Sequence, residues 1–341
     1  MAVSIRQRET MEGISLEELN PTGRRSEAEG VSILIATDRR LEKLRRCIQS
    51  LHTHIASDKE IIVVDNDPAR SARTICLDFP DILYAAPVLR LGVAAARNLG
   101  ARLASFPNLL VIDDDAYVES DVCDEALRML NEDPKCAAVA LCIIDVPTAN
   151  VWPKADPAKA VPGCGGVFRR SAFTSVGPQR ESFRFGAEEI DWGVRCYNAG
   201  FHIRYARSSV VFHDPAQSRA AGERLPDYKI RNNLQNRLLF LFYNFTWKTV
   251  LLQGSRVCIS NFVLGLRYRT LRPFCEGLLG ALRAGWSTRR QRVLVSGAVD
   301  EFYTKPNFEE DEYSIPYWRK LVGLLRGRAN RRAGASRARL S

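Results

Sequence analysis

The stretch LLVIDDDAYVES, Leu109 to Ser120, constrains this chain more than any other. Leu109 to Ile112 are four apolar residues in a row, as in a buried strand, and they run directly into Asp113, Asp114 and Asp115. Three carboxylates held together repel one another, and unless a cation or positive dipole offsets this, at least one pKa rises. Side chains alternate along extended backbone, so Asp113 and Asp115 can point the same way and grip one divalent ion while Asp114 points elsewhere. The competing reading is a solvated Asp-rich turn.

What surrounds this strand favours the first reading. Val31 to Ala36, VSILIA, is another buried strand; it ends in Thr37-Asp38-Arg39-Arg40, after which Leu41, Leu44, Ile48 and Leu51 fall at helical spacing. Glu60 to Val64 is a third strand and closes on the turn Asp65-Asn66-Asp67-Pro68. A weak helix near Ala69 to Phe79, a short strand near Ile82 to Ala85 and a small-residue helix across Leu91 to Gly100 lead into the aspartate strand. Arg97 and Asn98 are the polar exceptions in that last helix. A helix from about Val122 to Asn131 and a strand from Ala137 to Ile143 follow. Strand and helix in alternation predict parallel pairs joined by right-handed crossovers. In such open sheets ligands gather beyond the carboxyl ends of the strands, where Asp38, Asp65 and Asp113 to Asp115 all fall.

The next segments add candidates. Asp145 to Pro162 reads as an irregular loop carrying Trp152, which with Trp192 is a candidate aromatic platform for a ligand. In Pro162-Gly163-Cys164-Gly165-Gly166 three glycines allow close backbone approach to a ligand, but not at the spacing of a P-loop. In the helix FGAEEIDWGVRCYNAG, Ile190, Val194 and Tyr197 make the apolar stripe and Gly200 is the stop. Glu188, Glu189 and Asp191 occupy its first turn, where the helix dipole favours negative charge and a carboxylate stands ready to accept a proton. Acidic residues are also ordinary at helix starts. A strand from Ser209 to Phe212 ends in His213; a lone histidine is more often structural than a ligand, yet at a strand end it can complete a metal site.

Charge divides the chain. The net charge is +10, but from Pro226 onward 21 Lys and Arg face 8 Asp and Glu, against 28 and 31 before it. No nucleic-acid module signature precedes this basic third, so nucleic acid is not the expected partner. Nine cysteines without a CxxC pair, and only four histidines, argue against a zinc ribbon or a disulfide framework and for reduced thiols in a cytoplasm. No uninterrupted apolar run approaches the ~18 residues of a spanning helix. Residues 1–29 read as a flexible leader with a turn of helix at Ile14 to Leu19, 30–225 as the catalytic domain, 226–325 as a basic helical region and 326–341 as a disordered basic tail. Leu238, Leu239, Leu241, Phe242, Phe245 and Trp247 exceed one narrow stripe. Those helices either pack on the catalytic domain or meet an anionic membrane surface through Arg256, Arg267, Arg269 and Arg272.

Taken in order, VSILIATDRR, IIVVDNDP, LGVAAARNLG, LLVIDDDAYVES, GCGGVFRRSAF, FGAEEIDWGVRCYNAGF and SSVVFHD resemble the motifs of the family 2 glycosyltransferases, whose nucleotide-sugar-binding fold is called GT-A. They span about residues 31 to 214, over half the chain. The Asp-rich segment, acidic helix and strand-end histidine are most similar to those of bacterial rhamnosyltransferases and galactofuranosyltransferases. Glu188-Glu189 stands where the family usually has Glu-Asp or Asp-Asp, which moves the carboxylate out by one methylene. The resemblance implies an α/β fold, Rossmann-like with a mostly parallel central sheet, followed by a helical region. It implies a metal-dependent inverting enzyme that moves a sugar from a nucleoside-diphosphate sugar to a hydroxyl of a glycan or lipid-linked acceptor, in cell-surface glycan or glycolipid synthesis. The implied setting is cytoplasmic, peripheral on the inner face of the cell membrane.

By the same resemblance Asp38 and Asp65 contact base and ribose with Thr37 beside them, and Arg97 and Asn98 face the donor, with Gly165 and Gly166 also on the donor-binding side. Asp113 and Asp115 with His213 hold Mn2+ or Mg2+ on the diphosphate, and Glu189 deprotonates the acceptor with Glu188 or Asp191 in reserve. Two other classes use similar parts: a catalytically silent nucleotide-sugar-binding scaffold, and a metal-dependent phosphoryl- or nucleotidyl-transfer enzyme. The latter has no need of the acidic helix together with His213.

Overall fold

Alternating apolar runs and amphipathic segments produce one large mixed sheet with helices on both faces. The computed structural model describes residues 5–11, 14–19, 30–153, 155–183, 186–215 and 227–304, and the chain divides between Glu223 and Arg224 into two units. The first unit begins with strands β1 (Ile5–Met11), β2 (Ile14–Leu19) and β3 (Gly30–Thr37), then helix α1 (Leu41–His54) and strand β4 (Asp58–Asp65). Short helix α2 (Ala72–Cys76), β5 (Ile82–Pro87), α3 (Val93–Leu103), β6 (Asn108–Asp113) and β7 (Ala116–Val118) follow. The remainder is α4 (Cys123–Glu132), β8 (Cys136–Asp145), β9 (Val151–Trp152), β10 (Gly166–Arg169), α5 (Arg170–Val176), α6 (Glu188–Asn198) and β11 (His202–His213).

The strand order is β1-β2-β5-β4-β3-β6-β10-β8-β11-β7, with β9 on β8. Strands β5, β4, β3 and β6 are parallel, as the sequence predicts. Beyond them β10 runs antiparallel between β6 and β8, and β11 is parallel to β8 and antiparallel to β7. In-register pairing sets the carboxyl ends side by side: Thr37 lies opposite Asp65, and Ala36 opposite Asp113.

The segment 14–19 is a strand, not the turn of helix its spacing suggests. Leu16 and Leu19 are three apart, which mimics a helical face, but each is buried on a different side of the sheet. Glu17 is also buried and accepts from Arg73 at 2.7 Å, so the described part of the leader is pinned to the edge of the sheet.

Each face carries its own core. Leu44, Ile48 and Leu51 of α1 cover one; on the other, Trp192 of α6 packs against Phe168 of β10 and Phe173 of α5, with ring centroids 5.0 and 5.8 Å away. Trp192 is 1% exposed and donates its indole N–H to the Gly177 carbonyl at 3.1 Å, so it is a core residue and not a sugar platform. Trp192→Ala is expected to cost about 3–5 kcal/mol, read as a fall in the denaturation midpoint.

The second unit contains α7 (Asp227–Asn244), α8 (Trp247–Tyr268), α9 (Leu271–Ser287), a short 3-10 turn at Arg289–Gln291 and α10 (Gly297–Thr304). Thr246 caps α8 by accepting the Thr249 N–H, and Arg269 at φ +56° ends it. The tail expected at 326–341, with the last part of the helical region, lies outside the described residues.

Candidate active site

Strand β6 ends on Asp113, and the chain turns through Asp114 and Asp115 into β7. Asp114 and Asp115 lie in the turn itself, so a turn, and not the alternation of an extended strand, sets their directions. Asp114 is fully buried and points back to the end of β3, where the Thr37 hydroxyl donates to it at 2.7 Å and Arg40 Nε at 3.2 Å. Burial raises its pKa to about 7 in spite of Arg40. The role of Asp114 is therefore structural, tying the aspartate turn to β3.

Asp113 and Asp115 converge with His213, their ligand atoms all lying within 4.8 Å of one another. Two pairings bring the histidine there, for β11 sets His213 opposite Ala116 of β7 and beside Asp145 of β8. Asp145 Oδ1 lies 3.2 Å from His213 Nδ1, so the tautomer with Nδ1–H donating leaves Nε2 free, and Nε2 lies 3.6 Å from Asp115 Oδ1. Among the described residues that buried Asp115 oxygen has no hydrogen-bond partner. Burial and then the repulsion of Asp113 raise the Asp115 pKa. Two carboxylates, an imidazole oriented by a third carboxylate and an orphaned oxygen fit a divalent cation accepting N and O donors. Arg40 also reaches Asp115, and its guanidinium is the counter-charge shared by Asp114 and Asp115.

A second acidic group lies against the first. Arg97 of α3 is 5% exposed; its guanidinium donates to Asp113 at 2.9 Å and to Glu188 at 3.4 Å, and stands 3.8 Å from Glu189. Burial opposes the charge on Arg97, but the three carboxylates outweigh it and its pKa lies above the ordinary arginine value. Among the described residues Arg97 is shared by three carboxylates, which also repel one another. Burial and the repulsion of Glu188 accordingly raise Glu189 to about 7, and burial raises Glu188. Glu189 is the more open of the two, its side chain 21% exposed against 4% for Glu188. Its Oε1 accepts the Gly163 N–H at 2.6 Å. Helix α6 enters through Gly186 and Ala187, both at positive φ, which swings its first turn toward Arg97.

Gly163 cannot carry a side chain here, because a Cβ would land on the Arg97 guanidinium and the Glu189 carboxylate. Gly163→Ala is expected to displace both groups and lower turnover by about 10²-fold, the order seen when reacting groups move by an ångström. The check is steady-state kinetics beside a circular dichroism spectrum that stays native.

Other residues singled out in the sequence go elsewhere. Asp65 is buried and fully used, accepting from the Asp67 and Ala72 N–H groups and the Tyr84 hydroxyl at 2.9, 3.1 and 2.7 Å; it braces the loop after β4. Asn98 is a helical step round from Arg97 and faces away from the carboxylates, clamping the backbone of Gln179 at 2.8 and 2.9 Å. Asp191 is fully buried between Arg180 and Arg195, so it is not free to act as a base. Gly165 and Gly166 are small because Ile143, Val211 and Val161 fill the space a Cβ would need. Asp38 remains partly open at the end of β3, paired with Arg90.

A groove of about 1290 Å³ lies at the amino ends of β3 and β6, lined by Gly30, Asn108, Arg169 and Arg170 among others. It is at the wrong end of the strands for the carboxylates, and Arg169 and Arg170, two of its three arginines, are spent on the carbonyls of Cys136, Leu130, Asp133 and Ala104. Asp145, Gly163 and Arg40 were not singled out in the sequence. Arg40 could have been, since a cation just past a strand end that aligns with three aspartates is a counter-charge candidate.

The family model described as Glycosyl transferase family 2 matches residues 32–186. "Putative glycosyltransferase EpsH" of Bacillus subtilis (strain 168) is 27% identical over 110 residues, a match covering 31% of this chain and 32% of that relative's length. Among solved structures, GalNAc-T7 with UDP, GalNAc and Mn2+ superposes with a TM-score of 0.54 at 13% identity, over 68% of this chain and 51% of that one. Mannosyltransferase PcManGT from Pyrobaculum calidifontis, in complex with GDP-Man and Mn2+, gives 0.51 at 16% identity over 81% and 82%. Residues 32–186 are thus similar to the glycosyl transferase family 2 model, and the chain shares the GT-A fold of these solved glycosyltransferases.

Proposed function

We propose that the protein transfers a glycosyl group from a nucleoside-diphosphate sugar to an acceptor hydroxyl with inversion at the anomeric carbon. The observation that carries this is the pairing of two acidic groups through Arg97: an Asp113, Asp115 and His213 set suited to a cation, and a half-open Glu189 with a raised pKa. Asp113, Asp115 and His213 would hold Mn2+ or Mg2+, and a cation bound there supplies Lewis-acid stabilisation of the departing diphosphate. Glu189 takes the proton of the attacking hydroxyl as its oxygen bonds to the anomeric carbon, and attack opposite the leaving group inverts the centre. The Gly163 N–H fixes the orientation of that carboxylate. Asp38 and the Thr37 end of β3 border the donor side, with Asp65 holding the neighbouring loop in shape. Solved proteins of the same fold hold UDP or GDP-Man together with Mn2+, which supports a nucleotide-sugar donor. The acceptor is a glycan or lipid-linked saccharide on the cytoplasmic side of a membrane, in cell-surface polysaccharide or glycolipid synthesis.

A thermal-shift panel of nucleotide sugars with and without Mn2+ tests this. One donor is expected to raise Tm by several degrees only when the cation is present, and the matching transfer assay to give product of inverted configuration by NMR. Donor binding with no turnover would reduce the protein to a binding module. Release of phosphate without sugar transfer would make it a phosphoryl-transfer enzyme, and retention of configuration would remove Glu189 as the base.

A further inference from the structure

The second unit is built inside out for water. On α8, Leu251, Ser255, Ile259, Phe262 and Leu266 recur at spacings of four and three along one line, and the four apolar members are exposed, Leu251 at 70%. Its buried side holds Gln253 and Ser260. Helix α9 repeats the arrangement. Leu271, Cys275, Leu279, Leu282 and Trp286 form one outward line, with Leu282 64% and Trp286 74% exposed. The inner side is Pro273, Phe274, Gly277, Ala281 and Gly285, and Gly277 lets the backbone of α7 approach so closely that a Cβ would sit 2.8 Å from the Arg231 carbonyl. Apart from Phe274 of α9 and Val257 of α8 the named inner residues are small or polar, and with large apolar residues outward this is the pattern of helices that face lipid. By length and composition α8 could cross a bilayer, and only 28% of its most apolar window is buried, unlike a core helix.

Charge names the occupant. Between Trp247 and Arg292 there are nine Lys and Arg and one acidic residue, Glu276. Arg272 and Arg283 flank the apolar line of α9, and Arg256 flanks that of α8. Trp286 lies under Arg289 with 4.9 Å from guanidinium carbon to ring centroid, and Trp247 under Arg292 with 4.5 Å. Indole beside guanidinium belongs at the level of lipid head groups. A spanning hairpin would have to carry Arg267, Arg269 and Arg272, which sit at its turn, across the hydrocarbon.

We propose that α8 and α9 lie in the plane of an anionic bilayer, with Leu251, Ile259, Phe262, Leu266, Leu271, Leu279, Leu282 and Trp286 in the outer acyl layer and the flanking arginines on lipid phosphates. This does not depend on the transfer reaction, so binding is measured without donor or acceptor. The full chain is expected to sediment with phosphatidylcholine vesicles that contain phosphatidylglycerol, and more weakly as salt rises. Leu279→Asp with Leu282→Asp is expected to lower that binding about tenfold or more, and Arg272→Gln with Arg283→Gln to lower it at least tenfold on anionic vesicles only. All four side chains are solvent-facing, so an unchanged helical circular dichroism signal and Tm verify that the variants fold. Lipids brominated near the ester should quench the Trp286 contribution, read as the difference from Trp286→Phe, and quench a Leu279→Trp variant to the same degree. Stronger quenching of Leu279→Trp by bromines deep in the chain would mean a spanning hairpin and overturn the in-plane placement. Vesicle binding that ignores the leucine substitutions would also overturn it. So would a lipid-free dimer that the same substitutions dissolve, which would give the face to a second copy.

Discussion

Glu189→Gln is expected to lower sugar transfer by about 10²–10⁴-fold, the usual contribution of a positioned general base, while leaving the protein at least as stable as before. The two halves of this expectation come from one charge count. Arg97 faces Asp113, Glu188 and Glu189, and the raised pKa of Glu189 shows that the folded chain prefers this carboxyl protonated. With the folded pKa above the unfolded value, the native state binds more protons between about pH 4.5 and 7, so this group makes stability fall as pH rises through that window. An amide removes that penalty, and Tm above neutrality should hold or rise. Activity has the opposite slope, because only the carboxylate accepts a proton. For the parent enzyme kcat/KM should climb from pH 6 and level off above the Glu189 pKa of about 7, as one macroscopic step of the Glu188 and Glu189 pair. The variant should lose that limb. A variant that keeps near-normal turnover and the same pH profile would pass the role to Glu188, the other glutamate on Arg97.

What could be read beforehand, and what could not, follows from the range over which each interaction acts. Apolar runs such as Leu109 to Ile112 and Val31 to Ala36 mark buried strands without outside help, and helix crossovers make their parallel order and aligned carboxyl ends expected. Asp113 and Asp115 do come together, but through the turn between β6 and β7 and not through the strand alternation from which their pairing was expected. The fate of Asp191 was also within reach: Arg195 stands four residues on, on the same helix face, and holds it at 3.1 Å. Asp145 was beyond reach, because it meets His213 only through the register of two strands nearly seventy residues apart. Gly163 escaped notice among three glycines, since local pattern does not tell which of them touches a carboxylate and which merely packs on valine. Asp65 looked like a ligand for the same reason that it is a brace. A carboxylate at a strand end can point to solvent or fold back on the following loop, and the Tyr84 hydroxyl and two backbone N–H groups draw it back.

Neighbouring aspartates should respond oppositely to substitution. Asp115→Ala is expected to abolish the Mn2+-dependent rise in Tm and to reduce transfer by several orders of magnitude, because it takes one of three ligands whose donor atoms lie within 4.8 Å of one another. Its effect on unfolding in metal-free buffer should be small. The Asp115 carboxylate raises the charge density around Asp113, and the Arg40 it shares keeps Asp114 as a partner. Asp114→Asn should do the reverse. Asp114 is fully buried between the Thr37 hydroxyl and Arg40, so the amide weakens a charge-assisted contact and turns a donor toward the guanidinium, at about 1–3 kcal/mol. The lower part of that range is expected, since Arg40 is 40% exposed and water screens it. The Mn2+ response should persist in this variant. Chemical denaturation without metal and thermal shift with it, run on both proteins, separate the two roles. Equal loss of the Mn2+ response in both would mean that the turn acts as a single ligand-bearing unit, and an intact response in Asp115→Ala would move the cation site away from β6.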